Sequence, residues 1–159
     1  MNVLFVCTGN ICRSPTGEAV LRAMALKEGI DLTVASVGTS TWHEGEGADQ
    51  RSAAAAKARG YDLSRHRSRA LKPQDFQDHD LLLAMDTSHQ MHLLQMAAGH
   101  PERAQKIRLF LPEYAPACGL RDVPDPYYGG PNGFEEVLDL LEAGCRGLLQ
   151  EVRDRSAAK

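Results

Sequence analysis

The sequence predicts an α/β domain in three layers, a four-stranded parallel sheet with helices on both faces. Three observations predict it. Short, continuously apolar runs, of the kind buried on both sides, alternate with longer segments of helical period. The order is βαβα, which favours parallel pairing through helical crossovers. The 159 residues carry no linker, repeat or low-complexity tract and fit one domain over residues 1–159.

The first apolar run covers residues 3–6. A Gly-containing loop follows, and Ser14-Pro15 opens a helix, with Pro15 suited to a first turn. Ala19, Val20, Ala23, Met24 and Leu26 give that helix its apolar stripe, and Gly29 ends it. Residues 32–37 read as a second strand, 38–47 as a Gly-rich loop, and 48–59 as an Ala-rich helix closed by Gly60. Residues 80–85 form a third strand, 87–98 a helix and 106–111 a fourth strand. Met85, Met91 and Met96 are assigned to the core. Residues 112–132 hold five of the eight prolines and read as a long loop, a length that tends to mark function. A last helix runs from 133 to about 153, with Phe134, Val137, Leu138, Leu141 and Leu148 inward, and residues 156–159 read as a frayed tail.

Composition excludes several classes. Hydrophobic residues make up 43% and charged residues 25%, as in globular domains. A net charge of -3 gives no basic excess for nucleic acid, so the arginines at 65, 67 and 69 read as a solvated, ion-paired face. No run approaches the ~18 apolar residues of a membrane span. The apolar start lacks a basic leader and reads as a strand of a cytoplasmic protein. The four cysteines, at 7, 12, 118 and 145, show neither Cys-x-x-Cys nor zinc spacing.

Ligands of open α/β sheets bind beyond the carboxyl ends of the strands, which points first to the loop after strand one. That loop reads Cys7-Thr8-Gly9-Asn10-Ile11-Cys12-Arg13-Ser14. Backbone N–H groups turned inward, the start of the next helix and the planar fork of Arg13 would together wrap a phosphate dianion. Gly9 and Asn10 are residue types that take positive φ in a tight curl. The same positive surroundings favour the thiolate of Cys7, the nucleophilic form, and Ser14 would donate to its sulfur. The other three cysteines lack an Arg six positions on. A thiolate attacking a phosphate ester needs a proton donor for the departing oxygen. The long loop offers Asp122 and Asp125, and Asp125 stands between two stiffening prolines.

Val6-Cys7-Thr8-Gly9-Asn10-Ile11-Cys12-Arg13-Ser14-Pro15 and Asp125-Pro126-Tyr127-Tyr128 resemble the two end motifs of the low-molecular-weight protein tyrosine phosphatases. Ala35-Ser36-Val37-Gly38-Thr39, Ser64-Arg65-His66-Arg67-Ser68-Arg69 and Ala84-Met85-Asp86 resemble the family between them, so the likeness spans essentially the whole chain. Val37 departs from the small residue of many relatives. The resemblance implies no metal or other cofactor, and Cys7, Arg13 and Asp125 as nucleophile, phosphate clamp and acid, with Asn10, Ser14, Ser36 and His66 as the network that shapes the loop. It also implies a disulfide between Cys12 and Cys7 under oxidation; a plain packing role for Cys12 is the alternative.

Trp42, Tyr127 and Tyr128 follow strand ends and are expected to wall a cleft for an aryl group, with His43 and Glu44 beside Trp42. The expected activity is hydrolysis of protein phosphotyrosine and small aryl phosphates by a monomer, releasing inorganic phosphate. A protein-arginine phosphatase would favour a small polar residue at position 11 and a less aromatic acid loop, against Ile11, Tyr127 and Tyr128. A thiol-linked arsenate reductase needs further cysteines, which residues 60–117 lack. A non-catalytic phosphate-binding module would not need both Cys7 and Asp125.

Overall fold

Four strands, β1 (Asn2–Cys7), β2 (Thr33–Gly38), β3 (Leu81–Ala84) and β4 (Ile107–Leu109), pair in the order β2-β1-β3-β4 in the computed structural model, which describes residues 1–130 and 132–158. Every pairing is parallel, with Val3 opposite Val34 and Leu81, and Cys7 opposite Gly38. Side chains of a strand alternate between faces, so β1 feeds two cores. Val3, Phe5 and Cys7 join the core of α1 (Arg13–Lys27), α2 (Gln50–Ala58) and α7 (Gly133–Ala157). Leu4 and Val6 join the opposite core, with Phe76 of α3 (Asp75–Asp78) and Leu93 of α4 (Thr87–Met96). Two short helices, α5 (Pro101–Ala104) and α6 (Phe110–Tyr114), flank β4.

The three-layer expectation holds, and several boundaries shift for physical reasons. Helix α1 begins at Arg13 and closes on Gly29 at φ 68, with Ile30 N–H bonding Ala25 O and Gly29 N–H bonding Leu26 O, the Schellman pattern. Its buried stripe runs through Val20, Leu21 and Ala25; Leu26 lies about 100° further round the helix and is 82% exposed, not core. Asp49 caps α2 by accepting from the N–H groups of Arg51 and Ser52. Strand β4 is shorter than expected because Phe110 turns into the α1/α7 core, edge-on to Phe5 at 5.6 Å. The stretch 112–132 is not a bare loop: it holds the end of α6 and two 3₁₀ turns, Pro116–Cys118 and Pro126–Tyr128, each opened by its proline. Residues 156 and 157 are helical, not frayed. Met91 is exposed, whereas Met85 is buried and Met96 packs on the second core. The arginine run divides: Arg69 pairs with buried Asp75, Arg67 donates to the carbonyl of His66, and Arg65 is exposed.

Candidate active site

Parallel pairing sends the carboxyl ends of β1, β2 and β3 to one rim, where residues 8–12, 39–49 and 85–86 meet. Cys7 ends the strand beside two neighbours and is 2% exposed. Its Sγ stands 2.9 Å from Ser14 Oγ and accepts from the Ser14 N–H at 3.4 Å. That N–H belongs to the first turn of α1, where amides have no helical partner and the positive end of the helix dipole lies. The sequence thus delivers a sulfur to a helix start by closing a short loop between strand and helix.

The loop closes through Asn10, the one non-glycine residue with positive φ (58°) among the described residues. Both amide hydrogens are used, one to Ser14 Oγ at 2.8 Å and one to Ser36 Oγ at 3.0 Å. Its Oδ1 accepts from the Arg69 N–H at 3.1 Å, and its carbonyl is bonded by Ser68 Oγ and His66 Nε2, both at 2.6 Å. Ser36 in turn donates to Glu18 at 2.7 Å. Hydrogen bonds therefore connect Asn10, Ser14, Ser36 and His66 behind the loop. Ser68 and Glu18 extend it. At Gly38 a Cβ would lie 2.5 Å from the Thr8 carbonyl, so β2 must end in glycine for the loop to pass.

Arg13 is 4% exposed. Its Nη1 donates to Asp86 Oδ2 at 2.8 Å and to the Val123 carbonyl at 2.9 Å, and its Nη2 lies 3.7 Å from Asp125 Oδ2. Asp86 caps α4. Burial pushes its carboxyl up, but bonds from Ser88 and Arg13 and the neighbouring His89 and Arg13 bring it below the usual carboxylate value. His89, 1% exposed, reaches Thr8 Oγ1 at 2.8 Å. Asp86 carried no functional assignment in the sequence beyond the resemblance, and His89 none. The available signal was a Asp-x-x-His helix start at the end of a buried strand, the place where Cys7 sits on its neighbour.

Asp125 opens the second 3₁₀ turn, with Oδ1 accepting from the Tyr127 N–H at 3.0 Å. Asp122 is used otherwise: it accepts from Thr87 N–H and Oγ1 at 2.9 and 2.8 Å and pins the loop to α4. Arg51, also unforeseen, ties the acid loop down from α2. It donates to the Tyr127 carbonyl at 3.3 Å and stacks over the rings of Tyr127 and Phe134 at 5.2 and 4.8 Å.

Cys7, Thr8, Gly9, Ile11, Cys12, Arg13, Trp42, His43, Asp125 and Tyr127 line one cavity of about 150 Å³. Trp42, 80% exposed, and Tyr127 stand at its rim. The side chain of Tyr128 lies outside the described residues. Cys12 is a buried free thiol; burial pushes it up to about 12, against a bond from Ser52. The cavity thus joins a sulfur, a guanidinium and a carboxyl under an apolar, aromatic mouth. Such a site can hold a phosphoryl group at its floor and a ring at its rim.

Known proteins are similar to this chain in sequence and in fold. A Streptomyces coelicolor protein named low molecular weight protein-tyrosine-phosphatase is 48% identical, over 96% of this chain and 94% of its own. The crystal structure of a protein tyrosine phosphatase from Entamoeba histolytica superposes with a TM-score of 0.92 at 36% identity, covering 98% of this chain and 99% of that one. A Drosophila arginine phosphatase superposes at 0.88 with 35% identity, over 96% of this chain and 98% of that one. The family model of low molecular weight phosphotyrosine protein phosphatases matches residues 2–158, and the chain belongs to that family.

Proposed function

We propose that the chain, acting as one domain and as a monomer, hydrolyses protein phosphotyrosine and small aryl phosphates through a phosphocysteine intermediate. The observation that carries this is the single cavity shared by Cys7, Arg13 and Asp125. The phosphoryl group sits in the loop of residues 8–13, its oxygens on inward N–H groups and on Arg13. Cys7 Sγ attacks phosphorus in line; the S–P bond forms as the bond to the phenolic oxygen breaks. Asp125 gives its proton to that oxygen. The ionised Asp125 then takes a proton from water, whose oxygen attacks phosphorus. The S–P bond breaks, inorganic phosphate leaves, and the Cys7 thiolate returns. The hydrogen bond from Ser14 steadies the sulfur as leaving group.

The rim sets the ester. Trp42 and Tyr127 flank the mouth, so a flat ring passes between them and carries its phosphate to the floor, a depth that phosphoserine does not span. The four free cysteines suit a reducing compartment, and the cytoplasm is the proposed location. A second reading, a protein-arginine phosphatase, draws on the Drosophila neighbour. Ile11 in the lining and the aromatic Tyr127 favour the aryl ester.

The test is a rate comparison on peptides carrying phosphotyrosine, phosphoserine and phosphoarginine, with Cys7→Ser alongside. Phosphotyrosine turnover at least tenfold faster is expected, with none by Cys7→Ser. Preference for phosphoarginine would transfer the assignment to the second reading, and turnover surviving Cys7→Ser would end the covalent mechanism.

A further inference from the structure

His89 takes no part in the mechanism above, yet it is a buried imidazole hydrogen-bonded to the reacting loop at Thr8. Both ring nitrogens are engaged. Nδ1 lies 3.1 Å from the backbone nitrogen of Asp86, and Nε2 lies 2.8 Å from Thr8 Oγ1. A backbone N–H can only donate, so Nδ1 accepts and the ring hydrogen belongs on Nε2. Nδ1 is also 3.2 Å from Asp86 Oδ1, but that oxygen already accepts from Ser88 Oγ at 2.5 Å and from the His89 N–H at 3.1 Å. Putting the hydrogen on Nδ1 would leave the Asp86 N–H without an acceptor in a nearly closed site. Burial favours the neutral ring and pushes its pKa down to about 4, so one hydrogen has to serve both sides.

The consequence falls on Thr8. With Nε2–H donating, Thr8 Oγ1 becomes the acceptor of that bond, and its own hydrogen is left over. Among the described residues Thr8 Oγ1 has no second partner, and Thr8 lines the cavity beside Cys7 and Arg13. We propose that His89 is a positioning residue that turns the Thr8 hydroxyl into a hydrogen-bond donor toward the phosphoryl oxygens, while its other nitrogen holds the backbone of Asp86, the partner of Arg13. The role rests on the proposed phosphatase activity. Thr8 then supplies a donor that the loop's amides and Arg13 do not, and one imidazole couples two parts of the clamp.

Two substitutions separate those two parts. His89→Asn keeps an acceptor at the place of Nδ1 but cannot reach Thr8; His89→Gln keeps a donor at the place of Nε2. On phenyl phosphate, His89→Asn and Thr8→Val are each expected to lower kcat about tenfold with KM nearly unchanged, as for one hydrogen bond to a charged oxygen that strengthens in the transition state. His89→Gln should stay within about threefold of the parent, and His89→Asn/Thr8→Val should be no slower than either single variant. The ring's ¹⁵N shifts in the intact parent protein should show a bare Nδ1 and a protonated Nε2 from pH 6 to 8. A protonated Nδ1, a Thr8→Val variant at the parent rate, or additive losses in the double variant would overturn the assignment. Failure of the phosphatase reading looks different, since the parent itself would then turn over no phosphate ester, while the ¹⁵N shifts still decide the hydrogen-bond pattern.

Discussion

Asp86 holds Nη1 of Arg13 at 2.8 Å, while Nη2 of the same guanidinium stands 3.7 Å from Asp125. One terminal nitrogen is fixed in the protein and the other stands toward Asp125, which lines the cavity with Arg13. Orientation, more than charge, is what Asp86 contributes, since Arg13 stays cationic without it. Asp86→Asn is expected to lower kcat about tenfold while changing inhibition by inorganic phosphate less than threefold. Unchanged kcat would mean that the Val123 carbonyl alone orients the clamp.

Asp125→Asn should cost roughly 10²–10⁴ in kcat, the range of general acid catalysis. The loss should shrink as the leaving phenol becomes more acidic, so a series from phenyl to dinitrophenyl phosphate is the measurement. A loss independent of the leaving group would assign Asp125 to loop structure, where it already accepts the Tyr127 N–H.

Trp42 is so exposed that its removal should leave stability within about 0.5 kcal/mol. Trp42→Ala should raise KM for aryl phosphates more than for alkyl ones. Equal effects on both would strip the rim of its selective role.

Gly147 brings α7 against α6: a Cβ there would lie 1.9 Å from the Tyr114 carbonyl. Helix propensity favours Gly147→Ala by about 1 kcal/mol. The backbone clash opposes it and should win, for a net destabilisation of about 1–3 kcal/mol, the usual cost of overpacking. Urea unfolding reads the sign directly.

Asp75 is buried; burial pushes its carboxyl up, but bonds from Arg69 and the Lys72 N–H bring it below the ordinary value near 3.8. A depressed carboxyl stabilises the fold at pH above its unfolded value, and that contribution is lost as pH falls through the folded one. The stability gap between the parent and Asp75→Asn should therefore be widest near neutrality and narrow below about pH 4. A gap constant with pH would show that the carboxylate's charge is not what Asp75 contributes.

The loop between β1 and α1 was legible because its pattern is local: strand, curl and helix start lie within residues 2–15. Asp125, which lines the same cavity, was picked out by its flanking prolines. The roles of Asp86, His89 and Arg51 were not legible: the Asp86-x-x-His89 start marks a helix cap, and nothing beside Arg51 points to the acid loop. Their roles arise when β3 docks beside β1 and α2 meets the acid loop, contacts between residues far apart in sequence. Leu26 and Met91 lie outside the core for a related reason: an apolar residue at a permissible helical phase faces the core only if a neighbour covers that phase. The long loop hid two 3₁₀ turns because prolines mark both loops and helix starts.

The five bonds on Asn10 have a further consequence. All of them run to protein atoms, so the curl is shaped when the chain folds and not when an anion arrives. The entropy of ordering that loop is spent once, at synthesis, and each catalytic cycle begins with it already settled. Substitutions in this network should therefore trade turnover against melting temperature, and a stabilised background would be the place to measure them.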